Sequence, residues 1–325
     1  MAGYVVRRVI GSFVVLLAVA TLVFVLVDFA PGDPARIYAG ADATEEDVAA
    51  IRTLMGLDGS LPERYLTYLS NAITGDLGQS IFTGRDVLTE VVERAPATLE
   101  LAIVALIVAT PIGIALGRLA GARYGSKLDT AVRVGTLVSF SIPGFWLALL
   151  LLFLFGLYLP GIVPTGGWVP LTEDPWGNVQ HMILPVLVLA LPYVAMIART
   201  LRVSMLDALG RDYVMFARAM SLSPREVNGQ VALPNAIIPT ATVIGLALAY
   251  LIGGTVIVEV VFTIPGIGQL MIDSFEKQDF PLAIGCTLFI ALFCVVLNLV
   301  VDLLYAVINP RVRELYRQRV SVRDL

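Results

Sequence analysis

Charge, histidine and cysteine are all scarce in this sequence of 325 residues. Asp, Glu, Lys and Arg together make up 15%, against about 25% in ordinary soluble domains. Hydrophobic residues make up 58%, and the mean hydropathy is +0.85. So little polar surface cannot clothe a globule in water, and so much apolar matter excludes a disordered chain. A net charge of −4 argues against a nucleic-acid binder, which needs a basic face. With one histidine, His181, and two cysteines, Cys286 and Cys294, there is no cluster at zinc-ligand spacing and no nucleophile–histidine network. The cysteines lie eight apart in one apolar run, so on a helix they stand about 12 Å apart along the axis. A disulfide spans at most ~7 Å between Cα atoms, so they read as small core residues. The phosphate-cradling pattern Gly-x-x-x-x-Gly-Lys-Ser/Thr is also missing.

What is present is a series of long apolar runs. Val9–Val27 carries no charge over a length that spans a bilayer. It is longer than the core of a cleavable signal peptide, about 7–15 residues, and so reads as a retained first transmembrane helix. Five more spans follow at Thr98–Leu119, Val134–Leu159, Ile183–Ala198, Ile237–Phe262 and Leu282–Ile308. The fourth is short, but His181, Met182, Thr200 and Leu201 extend it. The expected fold is therefore an all-α polytopic membrane protein of six transmembrane helices. Pro111, Pro143, Pro185, Pro192 and Pro239 fall inside the runs. Ser141–Trp146 and Gly253-Gly254 read as sites of close helix packing rather than as bends.

Sixteen of the 22 Lys and Arg residues fall at the N-terminus (Arg7, Arg8), between spans two and three, between spans four and five, and after span six. The other side holds Lys277 and five arginines spread over the long first loop, where the positive-inside rule loses force. Both termini are thus placed in the cytoplasm of a multi-pass cytoplasmic-membrane protein. Three regions result: a first helix with an external loop over 1–97, a membrane core over 98–308 that includes a cytoplasmic loop at 201–235, and a basic cytoplasmic tail over 309–325.

Two loops exceed what a connector needs. In the first, Thr44 reads as an N-cap followed by Glu45, Glu46 and Asp47, in a helix running to Gly56. A second helix over Pro62–Ala72 carries Tyr65, Leu66, Tyr68 and Leu69 toward the membrane or a neighbouring helix, and Gly75, Gly78 and Gly84 mark turns. This region reads as a cap over the bundle, a lid, or a docking surface. In the second loop a short helix starts at Asp212, and Ser223 caps another whose first position is Pro224. Val214, Met215, Phe216 and Ala217 are then expected to lie exposed between arginines, the mark of a partner-docking helix or of one resting on the bilayer.

The segment Met215-Phe216-Ala217, three residues, Ser221, nine residues, Val231-Ala232-Leu233-Pro234 resembles the coupling loop of the permease subunits of ATP-binding-cassette importers. That pattern reads Glu-Ala-Ala, three residues, Gly, nine residues, Ile-x-Leu-Pro. The spacing agrees throughout, Ala217, Leu233 and Pro234 agree in identity, and Ser221 replaces the glycine. Phe29–Ala35, Leu57-Asp58 with Leu61-Pro62, Gly75–Ser80, Ala217–Pro224 and Glu259–Gly268 resemble the dipeptide- and oligopeptide-type permeases, in order, over residues 1–310.

The resemblance implies a type I importer fold and a subunit that catalyses nothing itself. Its implied partners are a second homologous permease, two cytoplasmic ATPase subunits that carry ATP and magnesium, and an external peptide-binding protein that delivers peptide substrate. Lipid surrounds it, and neither cofactor nor nucleic acid is bound by this chain. Met215, Phe216, Ala217, Arg218, Ser221, Leu222, Ser223 and Pro224 are then the coupling residues. Acids bordering the spans are Asp28, Glu100, Glu259 and Asp302; Glu259 and Asp302, with Phe262, are candidates for the translocation path, against structural roles. Asp28 and Glu259 are expected near the outer boundary, within reach of water. Asp302 shares a face with Asn298, and His181 reads as an interfacial residue. A related nickel or glutathione importer is the alternative. A secondary transporter or channel would show intramembrane charge networks or repeated broken helices.

Overall fold

The computed structural model describes residues 2–29, 34–40, 42–54 and 58–308. The tail at 309–325, Pro31–Asp33, Leu57 and the side chain of Asp28 lie outside the described residues. Among those described the protein is all helical apart from one isolated bridge between Gln79 and Asp86. α1 (Ala2–Asp28) is followed by three helices of the first loop: α2 (Pro34–Ala39), α3 (Glu45–Leu54) and α4 (Leu61–Thr74). The membrane core then runs through α5 (Val87–Ala122), α6 (Lys127–Ser141), α7 (Gly144–Phe153) and α8 (Pro175–Leu209). The second loop carries α9 (Asp212–Ala219) and the single turn α10 (Pro224–Glu226). α11 (Leu233–Val261), α12 (Ile267–Glu276) and α13 (Phe280–Ile308) complete the chain.

Five helices are long and apolar enough to cross a membrane, and the pair formed by α6 and α7 with its π-helical extension to Tyr158 makes a sixth span if counted together. That pair corrects the expected straight span at Val134–Leu159, because its axis turns by 93° between Ser141 and Gly144. The cause is local. A proline clashes with the residue before it in the helical region, and Ile142 accordingly sits extended at φ −85°, ψ 117°. The Ser141–Trp146 segment is a bend, not a packing contact. The other spans hold, with longer ends: α5 and α8 run 36 and 35 residues, about 54 and 52 Å at 1.5 Å per residue, well beyond a ~30 Å hydrocarbon layer.

α8 is the centre of the bundle. Over half of its apolar window is buried, against 17% for α1 and 11% for α13. It starts at Asp174, whose Oδ1 accepts from the amides of Trp176 and Gly177 at 3.1 and 3.0 Å, with Pro175 in the first turn. The partner it packs most closely is α5, on which Gly113, Gly117 and Gly121 recur every four residues and so form one face. A Cβ on Gly117 would stand 2.7 Å from the Ala198 carbonyl oxygen, and one on Gly121 2.6 Å from the Met205 Cβ. Only glycine lets the two backbones approach to this distance. Ala97, Leu101, Ala105 and Ala109 continue the buried face of α5 into the main core, where Ile197, Leu251 and Phe262 are fully buried.

At the end of the bundle where most Lys and Arg residues lie, hereafter the basic end, Arg202 on α8 grips Asp129 on α6 with two nitrogens. Nε pairs with Oδ1, and Nη2 stands 2.9 Å from Oδ2. The Gly125 amide donates to the same Oδ2 at 3.1 Å, and the guanidinium lies 5.8 Å from the centre of the Tyr124 ring. Asp129 is buried, and bidentate geometry makes such a pair strong.

Gly117→Val forces a branched side chain into the Ala198 backbone, and overpacking of this kind costs about 1–3 kcal/mol. The detergent-solubilised protein should melt measurably lower. Gly135→Ala on α6, where an added Cβ meets nothing within 4 Å, should melt at the same temperature or higher. Equal melting of the two variants would contradict the close α5–α8 contact.

Candidate functional site: the 209–236 loop and the opposite end of the bundle

The second large loop folds on a core of its own. Val214 and Ala217 of α9 are buried together with Val227, and Leu209, Leu222 and Val231 close around them. The expectation that Val214–Ala217 lies open is therefore half corrected. Met215 and Phe216 are exposed at 62% and 67%, but Val214 and Ala217 face inward at 0% and 7%. Met220, exposed at 64%, stands one turn after Phe216. The solvent-facing side of α9 is thus Met215, Phe216 and Met220, with Arg218 exposed beside them. Together they form an exposed apolar patch of the kind that marks a protein or membrane contact.

The turn after α9 explains Ser221. Its amide donates to the Arg218 carbonyl at 2.9 Å, and the amide of Leu222 donates to the Ala217 carbonyl at 3.3 Å. These two bonds are those of a helix end closed by a left-handed residue, with the apolar residue after it returning onto the helix. Ser221 is that left-handed residue, at φ 62°, and Leu222 packs back toward Ala217. The conformation favours glycine, which accounts for the glycine in the pattern this segment resembles.

The next residue starts the following helix. Ser223 and Glu226 form a reciprocal cap in which the amide and hydroxyl of Ser223 both donate to Glu226 Oε2 at 2.7 Å. Pro224 occupies the first turn, as expected. A π-helical stretch, Val227–Ala232, then leads into α11, and Ala232 and Ala236 bury against Leu201 and Met205 of α8. The loop is thereby fixed to the same helix that α5 grips.

At the opposite end, the path candidates sit differently from expectation. Glu259 is fully buried, so it is not within reach of water, and Phe262 is 1% exposed. Both belong to the protein's own packing. Glu259 Oε2 accepts from the amide of Gln269 at 3.1 Å, in the first turn of α12, where the aligned peptide dipoles favour a carboxylate. Thr98 of α5 accepts from the Ile267 amide at 2.8 Å. Gly266 leaves no room for a Cβ between Thr98 Oγ1, 2.6 Å away, and the Glu259 carboxylate, and on Gly268 a Cβ would meet Val256 Cα at 2.6 Å. The Glu259–Gly268 motif is thus a turn clamped between α5 and α11.

Thr263 adopts φ 52° there, and its neighbour's carbonyl, Phe262 O, receives the Gly167 amide at 2.8 Å. Two residues after Thr98 on α5, Glu100 accepts from Trp168 Nε1 at 2.9 Å and from Asn178 Nδ2 at 2.6 Å. His181 Nδ1 lies 2.7 Å from the Gly177 carbonyl, near Gly167. Asp302 pairs with Arg8 Nη1 at 3.0 Å, tying α13 to α1. No group of three or more His, Cys, Asp or Glu that could hold a metal occurs among the described residues.

The reading from sequence missed Asp129 with Arg202, Glu100 with Trp168 and Asn178, and the glycine face of α5. Only the last had a legible signal, the four-residue spacing of Gly113, Gly117 and Gly121.

This is a multi-pass membrane protein with a structured loop at one end and a clamped turn at the other, and comparison with known proteins specifies the class. Residues 113–314 match the family described as binding-protein-dependent transport system inner membrane component, and residues 1–102 match its N-terminal counterpart. The chain belongs to that family. It is 37% identical over 315 residues to the "Probable peptide ABC transporter permease protein y4tP" of Sinorhizobium fredii, covering 96% of this chain and all of that one. It is 38% identical over 317 residues to the "Glutathione transport system permease protein GsiC" of Escherichia coli K12, covering 96% and 99%. A solved structure, "Crystal structure of an amino acid ABC transporter with histidines", shares the fold with a TM-score of 0.51 at 16% identity, covering 67% of this chain and 94% of that one.

Ser221→Gly relieves a left-handed serine and should raise the protease resistance of the 209–236 loop. Ala217→Asp places a charge in the core shared by Val214 and Val227 and should expose the loop to cleavage in the isolated protein, before any partner is added. Limited proteolysis reads both. An Ala217→Asp loop as resistant as the parent would contradict the inward orientation of Ala217.

Proposed function

We propose that this chain is a permease subunit of an ATP-driven importer that moves short peptides across the cytoplasmic membrane. Its basic end, with both termini, faces the cytoplasm. The observation that carries this reading is the exposed Met215, Phe216 and Met220 face, presented by a loop with its own core. A free loop gains nothing by holding three large apolar side chains in water, whereas a cleft on a partner would bury them.

That partner is a cytoplasmic ATPase. Two such subunits, which carry the ATP and magnesium, would close when they bind nucleotide and draw the coupling loops together. The motion reaches the membrane because Ala232 and Ala236 seat the loop on α8, to which α5 is locked by its glycines. Two permeases would rock about their contact as rigid bodies, admitting peptide from an external binding protein and releasing it inward. This chain holds half of the path and performs no chemistry. Arg218, Ser221, Leu222, Ser223 and Pro224 serve coupling by shaping the docking surface, and Ala217 supports it from within.

Glu259 and Phe262 serve the path from behind, by fixing the Thr263–Gly268 turn at its external end, while Asp302 holds α13 against α1. The names of the relatives support peptides as the substrate class. A glutathione importer is the second reading, favoured by the 38% identity to a glutathione permease; glutathione is itself a tripeptide, so one path would suit both.

Phe216→Asp and Met220→Asp should leave the permease folded, since both side chains face solvent. They should abolish ATP-dependent uptake in proteoliposomes containing the whole complex and lower ATPase recovery on purification. Uptake at the parental rate in both variants would sink the docking assignment. Uptake that proceeds without ATP would instead favour a secondary transporter or channel.

A further inference from the structure

α4, like α9, presents an apolar face that no described residue covers, and its position is set by contacts with the first transmembrane span. The Tyr65 hydroxyl lies 2.5 Å from Thr21 Oγ1, and the Phe24 ring meets the rings of Tyr65 and Tyr68 at centroid distances of 5.2 and 5.4 Å. The apolar span in α1 extends to Leu26, so Thr21 lies five residues inside it, about 7.5 Å along the axis. α4 therefore attaches to α1 below the end of the apolar span rather than beyond it.

The composition of α4 agrees with that depth. Its charges are Glu63 and Arg64 at the start, and Tyr65–Thr74 is uncharged for ten residues. α3, by contrast, carries Glu45, Glu46, Asp47 and Arg52 in a helix of ten residues. Leu66 and Ile73, seven apart and so on one helical face, are exposed at 65% and 81%. Ile73 has the highest exposure of any large apolar side chain among the described residues. On α1, Val14, Leu17, Thr21, Leu22 and Leu26 line an apolar surface groove, and α4 meets α1 at one of these residues, Thr21. In a spanning helix such a surface meets acyl chains, so the exposed face of α4 continues an apolar surface already in lipid.

We propose that α4 is an interfacial helix embedded at the headgroup–acyl boundary of the leaflet opposite the basic end, with Tyr65 and Tyr68 docked on α1 and Leu66 and Ile73 in contact with lipid. Both rings pack on Phe24, and the Tyr65 hydroxyl is satisfied by Thr21 within the protein, so that hydroxyl needs no water at that depth. The helix anchors the first loop to the bilayer through α1. This goes beyond the transport reading and requires only that α1 spans the membrane.

The test uses the assembled complex in lipid nanodiscs, with Cys286 and Cys294 replaced by Ala and single cysteines at Leu66→Cys, Ile73→Cys and, on α3, Thr53→Cys. Each carries an environment-sensitive fluorophore. Labels at 66 and 73 should emit to the blue of the label at 53 and be quenched severalfold more strongly by phosphatidylcholine spin-labelled near the headgroup, with little quenching by aqueous iodide. Both side chains point away from the protein, so either position alone decides the matter if the other variant fails to assemble. Labels at 66 and 73 that behave like the label at 53 would overturn the proposal. So would labels that turn blue only when the external binding protein is added, which would give this face to that protein.

Discussion

Three glycines bring the backbone of α5 against α8, and both ends of the molecule are referred to that pair. Helices in lipid gain little from the hydrophobic effect on meeting one another, so association depends on close van der Waals contact and on removing bulk from the contact. Gly113, Gly117 and Gly121 remove it, and Ile197, Ala198, Leu201 and Met205 occupy the space they leave. The pair is long enough to reach past the membrane on both sides, which lets one rigid contact organise structures far from its centre.

At the basic end the pair carries the 209–236 loop. Leu201 and Met205, which lie against the glycine face on one side, lie against Ala232 and Ala236 on the other. Arg202, between them in sequence, holds α6 through Asp129. The loop, α6 and the central pair thus meet within one turn and a half of α8. At the opposite end Thr98 and Glu100 of α5 hold the 263–268 turn and the 166–178 segment, and the buried pair of Ser80 with Asp279, 2.6 Å apart, joins the start of α5 to the α12–α13 junction. Packed contacts along α5 and α8 thus link the loop to the far end.

Hydropathy made the spans legible, because a bilayer demands about twenty apolar residues per crossing and few other constraints write so plainly. The 209–236 loop was legible in its punctuation: Ser223, Pro224 and the acid at 212 fall where helices start. What stayed hidden depended on partners distant in sequence. Ala217 and Val214 face inward only because Val227 and Val231, beyond the Ser221 turn, fold back to cover them. Arg202 and Asp129 are 73 residues apart, and nothing local marks either as paired. Glu259 looked wet because it closes a span; it is dry because α12 returns over it and presents its first amides. Pro143 is a different case. Its meaning was local and available, since a residue before proline avoids the helix, yet a run of apolar residues on both sides read as one span.

The most direct test of the account is a photo-crosslinking amino acid placed at position 216 in the assembled complex, activated with and without ATP and analysed by mass spectrometry. The account predicts an adduct with a cytoplasmic ATPase subunit, and none from the same probe placed at the buried position 214. Adducts confined to lipid at position 216 would contradict the docking role and make α9 a surface helix of the bilayer.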